Sequence, residues 1–229
     1  MDCRVYRKSL MLALLSVVIQ SQQTVMAQDI NWRDSLSVLN SQIKLSAWNT
    51  DLHLRKAAVN LELQQWQYAI DEYGLILQHE AQNPAALFYR AYANTHLRRY
   101  DMARRDYEEL LQIFPRHAEA RLSLAYVLQL MGRKTDALDH LNTLIEQNPD
   151  SAVAYASRAA LEREMKQYEA SLYDWQQAIN RDPKNIGYLA SKVDLLVFLN
   201  RRKDALREFD AAKRRGIPPG VINKLKHEF

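Results

Sequence analysis

Few residues in this chain have the types and spacing that reaction chemistry needs. Six histidines are scattered through 229 residues. The one pair with metal-like spacing is Asp136 with His140, one helical turn apart and too little to rank above a surface pair. No glycine-rich phosphate loop, Gly-x-Ser-x-Gly elbow or His-Glu-x-x-His sequence occurs. The single cysteine, Cys3, lies ahead of an apolar run near the N-terminus, so beyond that run no thiol is available as nucleophile or metal ligand. The sequence predicts no catalytic centre, no cofactor and no metal. What does recur is a set of opposed charges: Lys56, Arg90, Arg158 and Lys192 each stand sixteen residues before an acid, Glu72, Asp106, Asp174 and Glu208. At the corresponding places between them stand Leu124 and His140, so base and acid vanish together. This covariation predicts four ion pairs across helical hairpins, structural rather than catalytic.

The frame that positions these residues is a period of 34, which runs without slippage from Thr50 to Pro219. A period of this length signals a solenoid of helix-turn-helix units. Counted from Thr50, Pro84, Ala118, Ala152 and Ile186, the eighth place reads Ala57, Ala91, Ala125, Ala159 and Val193. The twentieth reads Ala69, Ala103, Ala137, Ser171 and Ala205. Interaxial distance depends on the side chains at the crossing point, so a small residue on each helix lets the pair nest. Large apolar residues at the twenty-fourth place (Tyr73, Tyr107, Leu141, Trp175, Phe209) seal the space beyond. Pro115, Pro149 and Pro183 fall just after the second helices, which they cannot continue. Only five glycines and six prolines occur, and no stretch alternates apolar with polar residues, so an almost entirely helical chain is expected.

This pattern resembles the tetratricopeptide repeat (TPR) family over most of the chain. The resemblance implies an all-α, right-handed superhelical solenoid whose inner wall is made by the first helix of each hairpin, where extended peptides or partner helices lie. By that resemblance the fifth and ninth places point inward, among them Phe88, Tyr92, Leu122 and Tyr126, with small residues in the later units. Thr95, His96, Gln129 and Arg163, one turn further along, are expected to add polar contacts to this groove. Tyrosine combines apolar area with a hydroxyl handle, which suits a binding wall. The same aromatics also suit plain filling of the inner curve. The Lys and Asn with which some members clamp a C-terminal carboxylate are absent: the relevant places hold Leu54, Ala58, Tyr89, Glu119 and Ser123.

The ends obey the same phase. Residues 28–49 read as the second helix of a half repeat, with Trp32, Leu36, Leu39 and Ile43 forming an apolar stripe that caps the first full hairpin. Five units follow, 50–83, 84–117, 118–151, 152–185 and 186–219, and residues 220–229 are expected to form a short terminal helix. Residues 1–27 have the make-up of a cleaved signal peptide: Arg4, Arg7 and Lys8, an apolar core from Ser9 to Ile19, then Val25 and Ala27 before a cut between Ala27 and Gln28. The apolar core is too short to span a bilayer, so no integral span is expected after cleavage. No Asn-x-Ser/Thr acceptor occurs, which favours a bacterial periplasm or exterior.

Cleavage leaves 28 basic against 26 acidic side chains, a net charge of +2. The basic runs Arg98, Arg99, Arg104, Arg105, then Arg201 to Lys203 and Lys213 to Arg215, read as solvated helix ends. Nucleic acid is not expected as a partner of an exported chain. Since 170 residues lie in repeats, neither remainder can form a catalytic domain. The sequence predicts a monomeric, non-catalytic scaffold or adaptor of the cell envelope that binds a protein segment. An accessory subunit of an envelope enzyme and a self-associating scaffold are the alternatives.

Overall fold

The computed structural model describes residues 32–46 and 48–228. The leader, its cleavage site, Cys3 and Phe229 lie outside the described residues. Among the described residues the chain is all-α, with twelve helices: α1 (Trp32–Leu45), α2 (Thr50–Glu62), α3 (Trp66–His79), α4 (Pro84–His96), α5 (Tyr100–Ile113), α6 (Ala118–Leu130), α7 (Lys134–Gln147), α8 (Ala152–Glu164), α9 (Tyr168–Arg181), α10 (Ile186–Phe198), α11 (Arg202–Arg214) and α12 (Pro219–Glu228). Two compact units divide within α7, between His140 and Leu141.

Each first helix starts with a side chain that accepts from an orphan backbone N–H two or three residues on. Asn49 accepts from Leu52, Asn83 from Ala86, His117 from Ala120, Ser151 from Ala154 and Asn185 from Gly187 and Tyr188. The stop is equally regular. The residue at place 15 has positive φ in every hairpin: Gln64 (56°), Arg98 (60°), Gly132 (78°), Lys166 (63°) and Asn200 (60°). This left-handed residue turns the next N–H back onto the carbonyl at place 11, as in Gln65 to Asn60 and Arg99 to Asn94 at 2.8 and 2.9 Å. The second helix then begins two residues later.

In the N-terminal unit α2 packs on α3, α3 on α4, α4 on α5 and α5 on α6. The first helices also touch, α2 with α4 and α4 with α6. The small crossing residues Ala57, Ala69, Ala91, Ala103 and Ala137 are fully buried. Tyr73 and Ile76 close the first hairpin against Ala86 of the next, with Trp48, Leu54, Leu61 and Leu77 around them. α1 lies against α2 and buries Leu39.

In the C-terminal unit α8 packs on α9, α9 on α10, α10 on α11 and α11 on α12. Ser171 stands where the other hairpins have alanine, and its Oγ donates to the Ala159 carbonyl at 2.7 Å, which satisfies the hydroxyl at the crossing. The terminal helix starts at Pro219, not after it, because a proline at the first helical position gives up only an N–H that the helix leaves unpaired. Ile222 and Leu225 are its buried side chains.

Candidate functional site

Seven of the eight residues expected to line a groove stand in the N-terminal unit, on α4 and α6. On α4 Phe88 packs against rings of its own hairpin, whereas Tyr92 and His96 meet Trp66 of the preceding one. Phe88 meets Tyr107 edge-on at 5.7 Å and stacks with His117 at 5.6 Å. Tyr92 meets Trp66 edge-on at 6.2 Å and His96 at 4.6 Å. His96 lies parallel to Trp66, with ring centroids 4.0 Å apart and planes 4° from coplanar. Phe88 and Tyr92 remain half-buried and His96 exposed. Although the residue is exposed at its rim, the Trp66 and Tyr92 rings packed against it desolvate the His96 imidazole and lower its pKa. Burial, and then the Glu62 carboxylate, push the Tyr92 phenol up.

The Thr95 hydroxyl turns back to donate to the Ala91 carbonyl at 2.9 Å, and both Thr95 and Ser123 bond the buried Tyr107 hydroxyl. Thr95 therefore braces the wall more than it presents a free group. Leu122 is buried on α6, where Tyr126 and Gln129 are half-buried and engage neighbouring groups. Arg163, in the C-terminal unit, pairs with Asp194 at 2.5 Å and lies over the Phe198 ring at 5.8 Å.

Trp66 and Glu62 were not among the expected wall residues. Place 17 reads Trp66, Tyr100, Lys134, Tyr168 and Arg202, and place 13 reads Glu62, His96, Leu130, Glu164 and Phe198. A search for constant places passes over both. The signal that could have found them is the clustering of Trp66, Tyr89, Tyr92 and His96 around one hairpin junction.

All four expected cross-hairpin ion pairs are present: Lys56–Glu72 at 2.5 Å, Arg90–Asp106 at 2.7 Å, Arg158–Asp174 at 2.5 Å and Lys192–Glu208 at 2.6 Å. In the third hairpin Leu124 is fully buried, and His140 faces Arg121 at 3.4 Å. Burial and then the Arg121 charge hold the His140 imidazole below its ordinary pKa. Asp136, the other half of the metal-like pair, bonds Arg133 at 2.5 Å, so the two residues engage different partners. Among the described residues no three His, Cys, Asp or Glu side chains are grouped to hold a metal, and no helix is long and apolar enough to cross a membrane.

Several cations of the basic runs are paired as well. Arg99 donates to Gln67 at 2.7 Å, Arg104 pairs with Glu108 at 2.7 Å, and Arg201 reaches Glu169 at 3.0 Å and Asp204 at 2.8 Å. Arg99 and Arg201 thereby link successive hairpins, while the Arg104 pair lies within one helix.

Comparison with known proteins agrees with the hairpin reading. A family model described as tetratricopeptide repeat matches residues 95–161. The DnaJ homolog subfamily C member 7 homolog of Dictyostelium discoideum is 23% identical over 186 residues, which is 80% of this chain and 30% of that protein. The chain thus spans under a third of this curated relative. A tetratricopeptide repeat protein from Parabacteroides merdae superposes with a TM-score of 0.70 at 18% identity, over 96% of this chain and 84% of that one. YrrB, a TPR protein with an unusual peptide-binding site, superposes with a TM-score of 0.59 at 15% identity, over 82% of this chain and 97% of its own. The 34-residue period, the hairpins it encodes and these likenesses give the chain the all-α helical-hairpin fold of tetratricopeptide repeat proteins, with a family match over residues 95–161.

Proposed function

We propose that the chain is a non-catalytic adaptor of the cell envelope, a monomer that holds a segment of a partner protein against the aromatic wall of α4 and α6. Tetratricopeptide repeats are in general non-catalytic scaffolds for protein interaction. The observation that carries the reading here is the wall itself: Phe88 is braced within its own hairpin and Tyr92 by the preceding one, yet both residues stay only half-buried, beside an exposed imidazole. Rigid aromatics with polar ends supply contact area at low ordering cost. The peptide site of YrrB supports such a use of the fold. The envelope location rests on residues 1–27, whose charge, apolar core and small-residue cleavage site match a leader.

A photo-crosslinking residue at Tyr126, introduced in the cell of origin, tests the reading. One dominant protein adduct is expected, lost when Tyr92→Ser is added while the helical circular dichroism stays intact. The same adduct from a crosslinker at Met102, exposed on α5, overturns the groove assignment. A mature N-terminus other than Gln28 overturns the leader assignment. The self-associating alternative has one observation in its favour, the exposure of Val38 and Leu45 on α1 (56% and 90%). Light scattering that shows mass growing with concentration decides for it.

A further inference from the structure

The charged side chains of α2, α4 and α6 are almost all engaged. Asp51 faces Arg55 at 3.9 Å, Lys56 and His53 share Glu72, and Arg90 holds Asp106. Glu119 lies 3.2 Å from the His117 Nδ1 that accepts the Ala120 N–H, at the start of its helix where an acid suits the dipole, and Arg121 donates to the Pro115 carbonyl and faces His140. Glu62 is the exception. It is exposed and makes no hydrogen bond or ion pair among the described residues. Nor is it placed for its helix: it is the last residue of α2, where the backbone carbonyls already concentrate negative charge and no base stands in the last turn. An acid there opposes helix stability.

Beside it stand aromatic groups whose polar ends are equally unengaged. Neither the Tyr92 hydroxyl nor the Trp66 indole N–H bonds another group among the described residues. Glu62 ends α2 and Trp66 opens α3 across one short turn, and Tyr92 meets Trp66 edge-on, so carboxylate and rings share one corner; the field of Glu62 accordingly reaches the Tyr92 phenol. His96 covers one face of Trp66, and the desolvation that this packing brings lowers its pKa, which disfavours a compensating positive charge beside the acid.

We infer that the corner formed by Glu62, Trp66 and Tyr92 receives a guanidinium or ammonium group, and that the segment bound along the groove is basic. A flat cation gains from ring faces and from a carboxylate at once, whereas an acidic or purely apolar side chain leaves Glu62 desolvated and unpaired. The whole chain carries a net charge of +4, so bulk electrostatics disfavour a basic ligand and any preference for one must be local. This inference rests on the groove reading above and names the chemistry of its occupant.

The test uses three fluorescein-labelled peptides, Gly-Ser-Arg-Ala-Arg-Ala-Arg-Ser-Gly and its counterparts with citrulline or glutamate in place of arginine, titrated into the full chain at low salt. The arginine peptide is expected to bind about tenfold tighter than the neutral citrulline isostere, with glutamate weakest. Glu62→Gln should erase most of that preference, bringing the arginine peptide down to about the affinity of the citrulline peptide. Because Glu62 is exposed, this variant does not threaten the fold. Equal affinity for arginine and citrulline, a preference that survives Glu62→Gln, or no binding of any peptide overturns the inference. Citrulline binding abolished by Tyr126→Ser leaves the groove reading standing without it. Failure of the otherwise unaltered chain to give the Tyr126 adduct described above removes the groove reading itself.

Discussion

The second and fourth hairpins build the same ion pair at the same two places, and one acid makes the difference between them. In the second, Arg90 grips Asp106 through Nε and Nη2, at 2.8 and 2.7 Å. In the fourth, Arg158 grips Asp174 in the same fork at 2.5 and 2.9 Å, and its remaining Nη1 donates to Asn142 at 2.8 Å. Place 11 is Asn94 in one and Glu162 in the other, both buried. Glu162 comes within 4.0 Å of the Arg158 Nε, and its Oε2 finds no hydrogen bond. At this place the second hairpin sets one acid against its arginine; the fourth sets two. Burial, then the neighbouring Asp174 charge, push the Glu162 carboxyl up to about 7, against the pull of Arg158. One repeat pattern thus places a carboxyl that titrates near neutral pH beside the pair in the fourth hairpin, where the second has the uncharged amide of Asn94.

The sharpest way to break the comparison is to remove each arginine. Arg158→Ala strands two buried carboxyl groups and should destabilise by about 3 to 5 kcal/mol. Arg90→Ala strands one and should fall at or below the lower end of that range. Adding Asp106→Ala to Arg90→Ala should recover much of the loss, because the double variant leaves no unpaired charge. Adding Asp174→Ala to Arg158→Ala should recover less, since Glu162 persists. Strictly additive effects in urea melts of both cycles sink the pairing. Equal losses for the two arginines sink the difference between the hairpins.

A smaller effect tests the surplus acid directly. Glu162 has a raised folded pKa, so the native state holds its proton where the unfolded chain has lost it. Its contribution is full below about pH 4.5 and is lost as the pH rises through about 7. Glu162→Gln should therefore stabilise the protein at pH 8 by about 1 to 3 kcal/mol and leave stability at pH 4 nearly unchanged. Asn94→Asp is the converse: it should import the pH dependence into the second hairpin. A melt whose midpoint is unmoved between pH 5 and 8 in the parent chain removes this account.

The ion pairs were legible in the sequence because base and acid vanish together at Leu124 and His140, a change that only contact explains economically. The helices were legible because small crossing residues and prolines recur at fixed places. Glu162 was not, because place 11 reads Asn60, Asn94, Leu128, Glu162 and Leu196. Nothing in that mixture marks a buried site, and its burial follows from the turn that folds over it. The stack of Trp66 on His96 was hidden for a related reason: it joins two variable places of successive units, and residue spacing within a unit does not show which of them meet.

Place 15 is the last and finest point of comparison, and it concerns the turns. All five hairpins need a left-handed residue there, yet only the third supplies glycine. Gly132 has nothing within 4 Å of where a Cβ would stand, so Gly132→Ala loses only conformational preference, about 1 kcal/mol. Arg98 and Lys166 pay that strain already. Arg98→Gly and Lys166→Gly should relieve it, although glycine also loosens the unfolded chain, so the net gain is about 0.5 kcal/mol each. Asn200→Gly should gain least, since asparagine tolerates left-handed geometry better than other side chains. The expected order in chemical denaturation is Gly132→Ala below the parent, Asn200→Gly near it, and Arg98→Gly and Lys166→Gly above it. If Arg98→Gly instead destabilises, the arginine side chain holds the turn by contacts that outweigh its backbone strain, and place 15 is selected for its side chain rather than for its φ.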